Sequence, residues 1–223
     1  MDKVFRRVED AISDIPDGAT IMFGGWGRIG YPGELTGAIG DKGVSEIVAI
    51  ANDAGNVKEG LEYGISALVR MGRVKKFIGS YHAWNKEFER QYENGQIEFE
   101  VVPQGTLAER IRAAGAGIGS FYVTTGVDTE LAEGKEIREI KGIKYVLEEP
   151  LAADFAVIAA DTADEWGNCI CRYTAKNFNP VMATAATVVI VEVRRIVPVG
   201  QLDPNHITIP GLYVDRIVER SRS

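Results

Sequence analysis

The stretch Ala19-Thr20-Ile21-Met22-Phe23-Gly24-Gly25-Trp26-Gly27-Arg28-Ile29-Gly30-Tyr31-Pro32-Gly33 decides the fold. The apolar run Ala19 to Phe23 reads as the body of a strand over Ala19 to Gly25. Four glycines between Gly24 and Gly30 remove the Cβ atoms that hold a backbone away from a ligand, and they permit φ values closed to other residues. Pro32-Gly33 then restarts the chain as a helix over Gly33 to Asp41. Strand, glycine loop and helix together form the opening of a wound α/β unit, with a row of bare backbone N–H groups at its turn.

Outward from this unit the alternation continues. Upstream, Val4, Val8, Ala11, Ile12 and Ile15 recur at helical spacing and predict an opening amphipathic helix that ends at Pro16-Asp17-Gly18. Downstream, strands are expected at Glu46 to Ala51, Val74 to Ser80 and Ile97 to Val102, with helices at Leu61 to Met71, Trp84 to Glu93 and Thr106 to Ala114. The strands are nearly continuous apolar runs, as in a parallel sheet covered on both faces. Glu136 to Ile140 and Ile143 to Glu148, joined at Lys141-Gly142, read as a β-hairpin lobe over about residues 135–149. Further strands are expected at Phe155 to Ala160, Asn168 to Tyr173, Thr187 to Val193 and Leu212 to Val218, and one helix near Pro180 to Ala186. The reading is one α/β domain over residues 1–223, an open, mainly parallel sheet with helices on both faces and a hairpin excursion.

Composition narrows the partners. Lys plus Arg is 25 against 32 for Asp plus Glu, a net charge of −7, which argues against nonspecific binding to nucleic acid or an anionic membrane. The longest mostly apolar stretch, Val181 to Val191, is interrupted by Thr184 and Thr187 and is about half of the roughly 20 residues a span needs. The N-terminus has no apolar signal core, and two cysteines, Cys169 and Cys171, do not make a disulfide framework, so the expected location is the cytoplasm. Those cysteines are expected to be reduced packing residues. His82 and His206 lack ligands at metal spacing, so no metal is expected. Arg70, Arg73, Lys75 and Lys76 form a basic cluster that reads as a solvated end of helix and strand.

Three readings of the glycine loop compete. Gly25, Gly27 and Gly30 satisfy G-x-G-x-x-G, with Asp53 lying 23 residues beyond Gly30, as in a dinucleotide site of an NAD- or FAD-dependent oxidoreductase. Against that stands Pro32, which delays the helix that the third glycine of the fingerprint should already be packing within. A bare tight turn would not need four glycines. The third reading is a loop that presents backbone donors to an oxyanion or an extended anionic ligand.

Asp17-Gly18 followed by Ala19 to Pro32 resembles the first motif of the family I coenzyme A-transferases, with Trp26 where a Phe is usual. Val102-Pro103-Gln104-Gly105-Thr106-Leu107-Ala108-Glu109-Arg110-Ile111-Arg112, Gly115-Ala116-Gly117 and Ala175-Lys176-Asn177-Phe178-Asn179 are similar to further family blocks, so the resemblance covers nearly the whole chain. Within the family it is most similar to the A (alpha) subunit of the two-subunit 3-oxoacid and acetate CoA-transferases. That resemblance implies coenzyme A as a substrate with no other cofactor. It also implies a heteromer with a B (beta) subunit, α2β2 or larger, and a catalytic glutamate that the B subunit carries in a Ser-Glu-Asn-Gly-type motif. The acceptor is not fixed, since acetoacetate, 3-oxoadipate and acetate/butyrate enzymes fit alike. A non-catalytic relative that senses an acyl-CoA or a sugar phosphate remains a further alternative.

Glu93-Asn94-Gly95 imitates that motif, but it follows Gln91-Tyr92 and precedes Gln96, and it reads as the end of a helix. With the nucleophile supplied in trans, this chain is left to bind and stabilise. The candidate binding residues are Gly24, Gly25, Trp26, Gly27, Arg28, Ile29 and Gly30, whose N–H groups from Gly24 to Arg28 are suitable oxyanion donors. Arg28 adds a cation for a carboxylate or phosphate. Gln104, at a strand-to-helix junction, offers a side-chain amide, and the resemblance likewise implies that it lies near the reacting carbonyl; a helix cap would look the same. Asn52, ending a strand where ligands gather in open parallel sheets, is a further polar contact. Gly115 and Gly117 would allow close approach of ligand or partner, or simply end the helix before them.

Overall fold

The computed structural model describes residues 2–58 and 60–221. In chain order the elements are β1 (Val4–Phe5), α1 (Val8–Ala11), β2 (Thr20–Phe23), α2 (Gly33–Lys42), β3 (Ile47–Asp53), β4 (Asn56–Lys58), β5 (Leu61–Tyr63), α3 (Ser66–Arg70), β6 (Val74–Tyr81), α4 (Lys86–Glu93), β7 (Glu98–Val101) and α5 (Gln104–Gly115). Then follow β8 (Phe121–Val123), β9 (Ile137–Ile140), β10 (Ile143–Glu148), β11 (Ala153–Asp164), β12 (Cys169–Ile170), α6 (Asn179–Ala183), β13 (Ala186–Val197) and β14 (Arg216–Glu219). One sheet runs in the order β1-β14-β13-β11-β2-β3-β6-β7, every neighbouring pair parallel, with β12 antiparallel to β11 beside it.

Apolar residues cover both faces of this sheet, which is why its strands are apolar runs rather than alternating ones. On one face Ile12, Leu35, Ile39, Leu68 and Phe88 from α1 to α4 and their flanks pack over Ile21, Ala49 and Phe77. On the other, Leu107, Ile111, Phe178 and Met182 of the α5 and α6 region pack over Met22, Ile50 and Ile158. The expected layering, helices on both faces of an open parallel sheet, is the one observed.

Four expected elements come out differently. The opening helix is cut to Val8–Ala11, because Val4 and Phe5 join the sheet edge beside Ile217 and Val218. A β-branched residue and an aromatic gain more from that pairing than from the first turn of an isolated helix. The expected helix Leu61 to Met71 divides into β5, paired antiparallel with β4, and the short α3. Gly64 takes φ +63°, and a Cβ there would press on Gly55, so the chain turns where helical spacing alone continues. The expected strand Asn168 to Tyr173 keeps only β12, and Leu212 to Val218 becomes a 3-10 turn at Gly211–Tyr213 followed by β14.

The hairpin β9–β10 lies where the alternating pattern put it, and β8 adds a third strand to it through Val123, Tyr122 and Phe121. No helix among the described residues is long and apolar enough to cross a membrane. Cys169 and Cys171 are free and buried, and burial raises the pKa of both thiols.

Candidate active site

The glycine loop leaves the C-terminal end of β2, Asn52 and Asp53 close β3, and Gln104 opens α5 just after β7. All three therefore gather at the edge of the sheet formed by the C-terminal ends of its parallel strands, where open α/β sheets bind ligands. A chain of hydrogen bonds joins them. Gln104 Nε2 donates to Asn52 Oδ1 at 2.7 Å, and Asn52 Nδ2 donates to Asp53 Oδ2 at 2.9 Å. Asp53 Oδ2 also accepts the Gly27 N–H at 2.8 Å, while Oδ1 accepts the Gly55 N–H at 3.1 Å. Among the described residues the Gln104 side chain bonds to Asn52 and to no backbone group of the helix end, so its amide serves this network, and its second N–H is left over for a ligand.

Other hydrogen bonds within the loop leave it few free donors. Gly24 N–H bonds to Val157 O at 2.9 Å, and Trp26 and Ile29 exchange both of their backbone hydrogen bonds at 3.1 Å in a small closed turn. With Gly27 held by Asp53, the N–H groups of Gly25 and Arg28 are the ones in the Gly24 to Arg28 run that have no partner among the described residues. Asp53 is thus the loop's own anchor. A dinucleotide reading needs that carboxylate on a ribose and a helix begun before Pro32, whereas α2 starts at Gly33.

Two anchors carried no local sequence signal as site residues. Asn179, wholly buried, donates to Gly30 O and Ala175 O at 2.9 Å and accepts the Ala159 N–H at 2.9 Å, tying the loop to β11. Glu192, 1% exposed, accepts the Glu34 and Leu35 N–H groups at 2.8 and 3.1 Å and so fixes the start of α2. Burial pushes the Glu192 carboxyl above the usual range, opposed by the Leu35 N–H and by Arg220. The block containing Asn179 was visible in the sequence, but its partners lie about 20 and about 150 positions away, beyond any periodicity.

Gly24 shows how tightly the loop is seated. A methyl there would overlap Asn179 Oδ1 and stand 3.2 Å from Ile158 Cα. Gly24→Ala is expected to destabilise the chain by about 3 kcal/mol, read as a Tm lowered by roughly 6–12 °C in thermal unfolding.

Known proteins resemble this chain in sequence and in fold. The coenzyme A transferase family model matches residues 5–220. The chain belongs to the coenzyme A transferase family. It is 47% identical over 220 residues to the A subunit of the 3-oxoadipate CoA-transferase of Pseudomonas putida, covering 98% of this chain and 94% of that protein. It is 46% identical to the A subunit of a probable succinyl-CoA:3-ketoacid coenzyme A transferase of Bacillus subtilis, covering 98% and 90%. In fold it is similar to an acyl-CoA transferase from Escherichia coli O157:H7, with a TM-score of 0.84 at 23% identity over 98% of this chain and 47% of that one.

The remaining candidates of this CoA-transferase chain fall outside the network. Gly115 ends α5, 11 residues after Gln104 and so about 16 Å along the helix, and a Cβ there would collide with Thr184. Gly117, at φ +69°, follows the helix end with open space around it, so Gly115 serves the α5–α6 contact and Gly117 the turn. Glu93 ends α4 and is exposed; because α4 runs back from β6 to the start of β7, it sits at the opposite edge of the sheet. In the basic cluster Arg70 pairs with Glu62, Lys75 with Glu46 and Lys76 with Glu100, as a solvated surface would. Among the described residues no group of three or more His, Cys, Asp or Glu is arranged to hold a metal.

Proposed function

We propose that this chain works in a two-subunit CoA-transferase that moves CoA from a short-chain acyl-CoA to a 3-oxo acid, with the nucleophilic glutamate on a separate B subunit. One observation carries the reading. Among the described residues, Asp53 is the only carboxylate lining the recess of Gly24, Gly25, Gly27, Tyr31 and Asn52, and its two oxygens already accept three hydrogen bonds. A carboxylate so occupied and buried is a scaffold and a poor nucleophile, so the site has donors for an oxyanion and lacks the attacking group. The relatives are named as A subunits, which supports a partner that brings it. Trp26 and Ile29, 55% and 50% exposed beside the recess, give that partner apolar surface to cover.

In this reading the partner's glutamate attacks the thioester carbonyl, forming a C–O bond as negative charge moves to the carbonyl oxygen. The second N–H of Gln104 and the Gly25 and Arg28 N–H groups meet that charge, each preset donor being worth about 3 kcal/mol in the transition state. Collapse expels CoA thiolate and leaves a mixed anhydride. The thiolate then attacks the glutamyl carbonyl, releasing the first acid and leaving a glutamyl-CoA thioester, and the acceptor acid reverses both steps. The two reduced, buried cysteines fit a cytoplasmic protein. Purified alone, the chain is expected to transfer no CoA from succinyl-CoA to acetoacetate, and to do so once mixed with its B subunit. Full activity from the isolated chain would contradict the reading.

A further inference from the structure

The recess of Asn52 and Asp53 lies on the β3 side of the glycine loop. On the other side, over the C-terminal ends of β11 and β13, the loop residues Arg28 to Tyr31 form one wall of a second, open cleft of about 640 Å³. Four guanidinium groups line it: Arg28 from the loop, Arg172 after β12, Arg194 from β13 and Arg220 after β14. The carboxylates that answer them are few. Asp161 is shared between Arg172 at 3.0 Å and Arg194 at 4.0 Å, and the buried Glu192 lies 3.3 Å from Arg220. Arg28 has no carboxylate partner among the described residues.

Four cations against two anions leave an excess of positive charge in a chain whose net charge is −7. Like charges brought together in this way repel one another, and a bound anion relieves that repulsion. Tyr173 adds a second, independent mark. It is 88% exposed, yet its backbone is held at φ +50°, a strained conformation for an aromatic residue, on the wall of this same cleft. Nothing in the core requires that strain, because the ring packs against little.

Resting on the proposed transferase reaction, we propose that this cleft is a second anion subsite of the same active site, which takes the distal carboxylate of a dicarboxylic acid and so selects diacids over monoacids. The planar guanidinium fork fits a carboxylate in bidentate fashion. Reach decides between the anions available. Cleft and recess share Tyr31 as a lining residue, so an anion in the cleft sits across that one side chain from the recess. The two carboxylates of a short-chain diacid are separated by only a few bonds, whereas the phosphates of CoA lie at the far end of its long pantetheine arm.

The test uses the complex with the B subunit. Kinetic constants kcat and KM are measured for CoA transfer to succinate and to butyrate with the wild-type complex and with Arg194→Gln and Arg28→Gln, both at exposed positions where the fold does not depend on the charge. Succinate binding to each complex is measured in parallel by calorimetry. The subsite predicts that the succinate-to-butyrate ratio of kcat/KM falls by about 10- to 100-fold in each variant, mainly through KM, and that succinate binding weakens alongside. An unchanged ratio overturns it. So does an equal loss for both acids that replacement of the CoA ester by its 3′-dephospho form reproduces, since the cleft would then hold the nucleotide end of CoA. A complex that transfers no CoA yet binds succinate through Arg194 overturns the transferase reading and keeps the subsite; one that does neither overturns both.

Discussion

Gln104→Ala in the assembled enzyme is expected to lower kcat by about 100- to 1,000-fold, the effect of removing one preset oxyanion donor. The side chain is on the surface at the first turn of α5 and makes no capping bond, so the fold loses little: Tm should stay within a few degrees of wild type. KM for the acyl-CoA should change far less than kcat, because the interaction strengthens only as charge develops on the carbonyl oxygen. Steady-state kinetics on the complex, with thermal unfolding as the control, separates this outcome from that of a helix-end residue, whose loss would lower Tm and leave kcat nearly intact.

Asp53→Asn is expected to lower both stability and turnover. The aspartate accepts from three N–H groups, two at Oδ2 and one at Oδ1. An asparagine has one oxygen, so in either orientation its NH2 faces a donor, and at least one buried N–H goes unpaired at a cost of about 1–3 kcal/mol. If the amide turns to keep Gly55, then Gly27 and Asn52 lose their anchor, and with Asn52 goes the fixed position of Gln104. A fall in kcat of about 10- to 100-fold together with a lower Tm is the expected pair of results. A contact to a nucleotide ribose at Asp53 would instead leave Tm unchanged. Because Asp53 acts through Asn52 and Gln104, adding Asp53→Asn to Gln104→Ala should cost less in kcat than the product of the two single effects.

Much of this was legible in the chain because it is local. The strand, loop and helix from Ala19 to Asp41, the hairpin at Lys141-Gly142 and the turn at Glu93 to Gly95 each announce themselves within a few residues, by hydrophobic period or by glycine. Val4 misled because its helical spacing with Val8 and Ala11 is real, while the edge of β14 that claims it, together with Phe5, lies over 200 residues away. Leu61 to Met71 misled for the converse reason: glycines at 55 and 64 fold the segment back on itself, and periodicity takes no account of φ. At the site, Gln104 and Asn52 were each readable at the end of a strand, but their hydrogen bond was not. Asp53 fitted a dinucleotide spacing while serving the loop one strand away. The arginines at 172, 194 and 220 meet Arg28 only through the parallel register of β11, β13 and β14 and the antiparallel pairing of β12 with β11, a non-local fact that no window of sequence contains.

In the proposed enzyme this chain stabilises a reaction whose nucleophile belongs to another polypeptide. Incubating the complex with acyl-CoA alone and reducing it with borohydride converts a glutamyl-CoA thioester to a stable alcohol, and peptide mass spectrometry then shows which chain carries it. The mark is expected on a single glutamate of the B subunit, with every glutamate of this chain unmodified, Glu93 included. A reduced glutamate on this chain would contradict the claim.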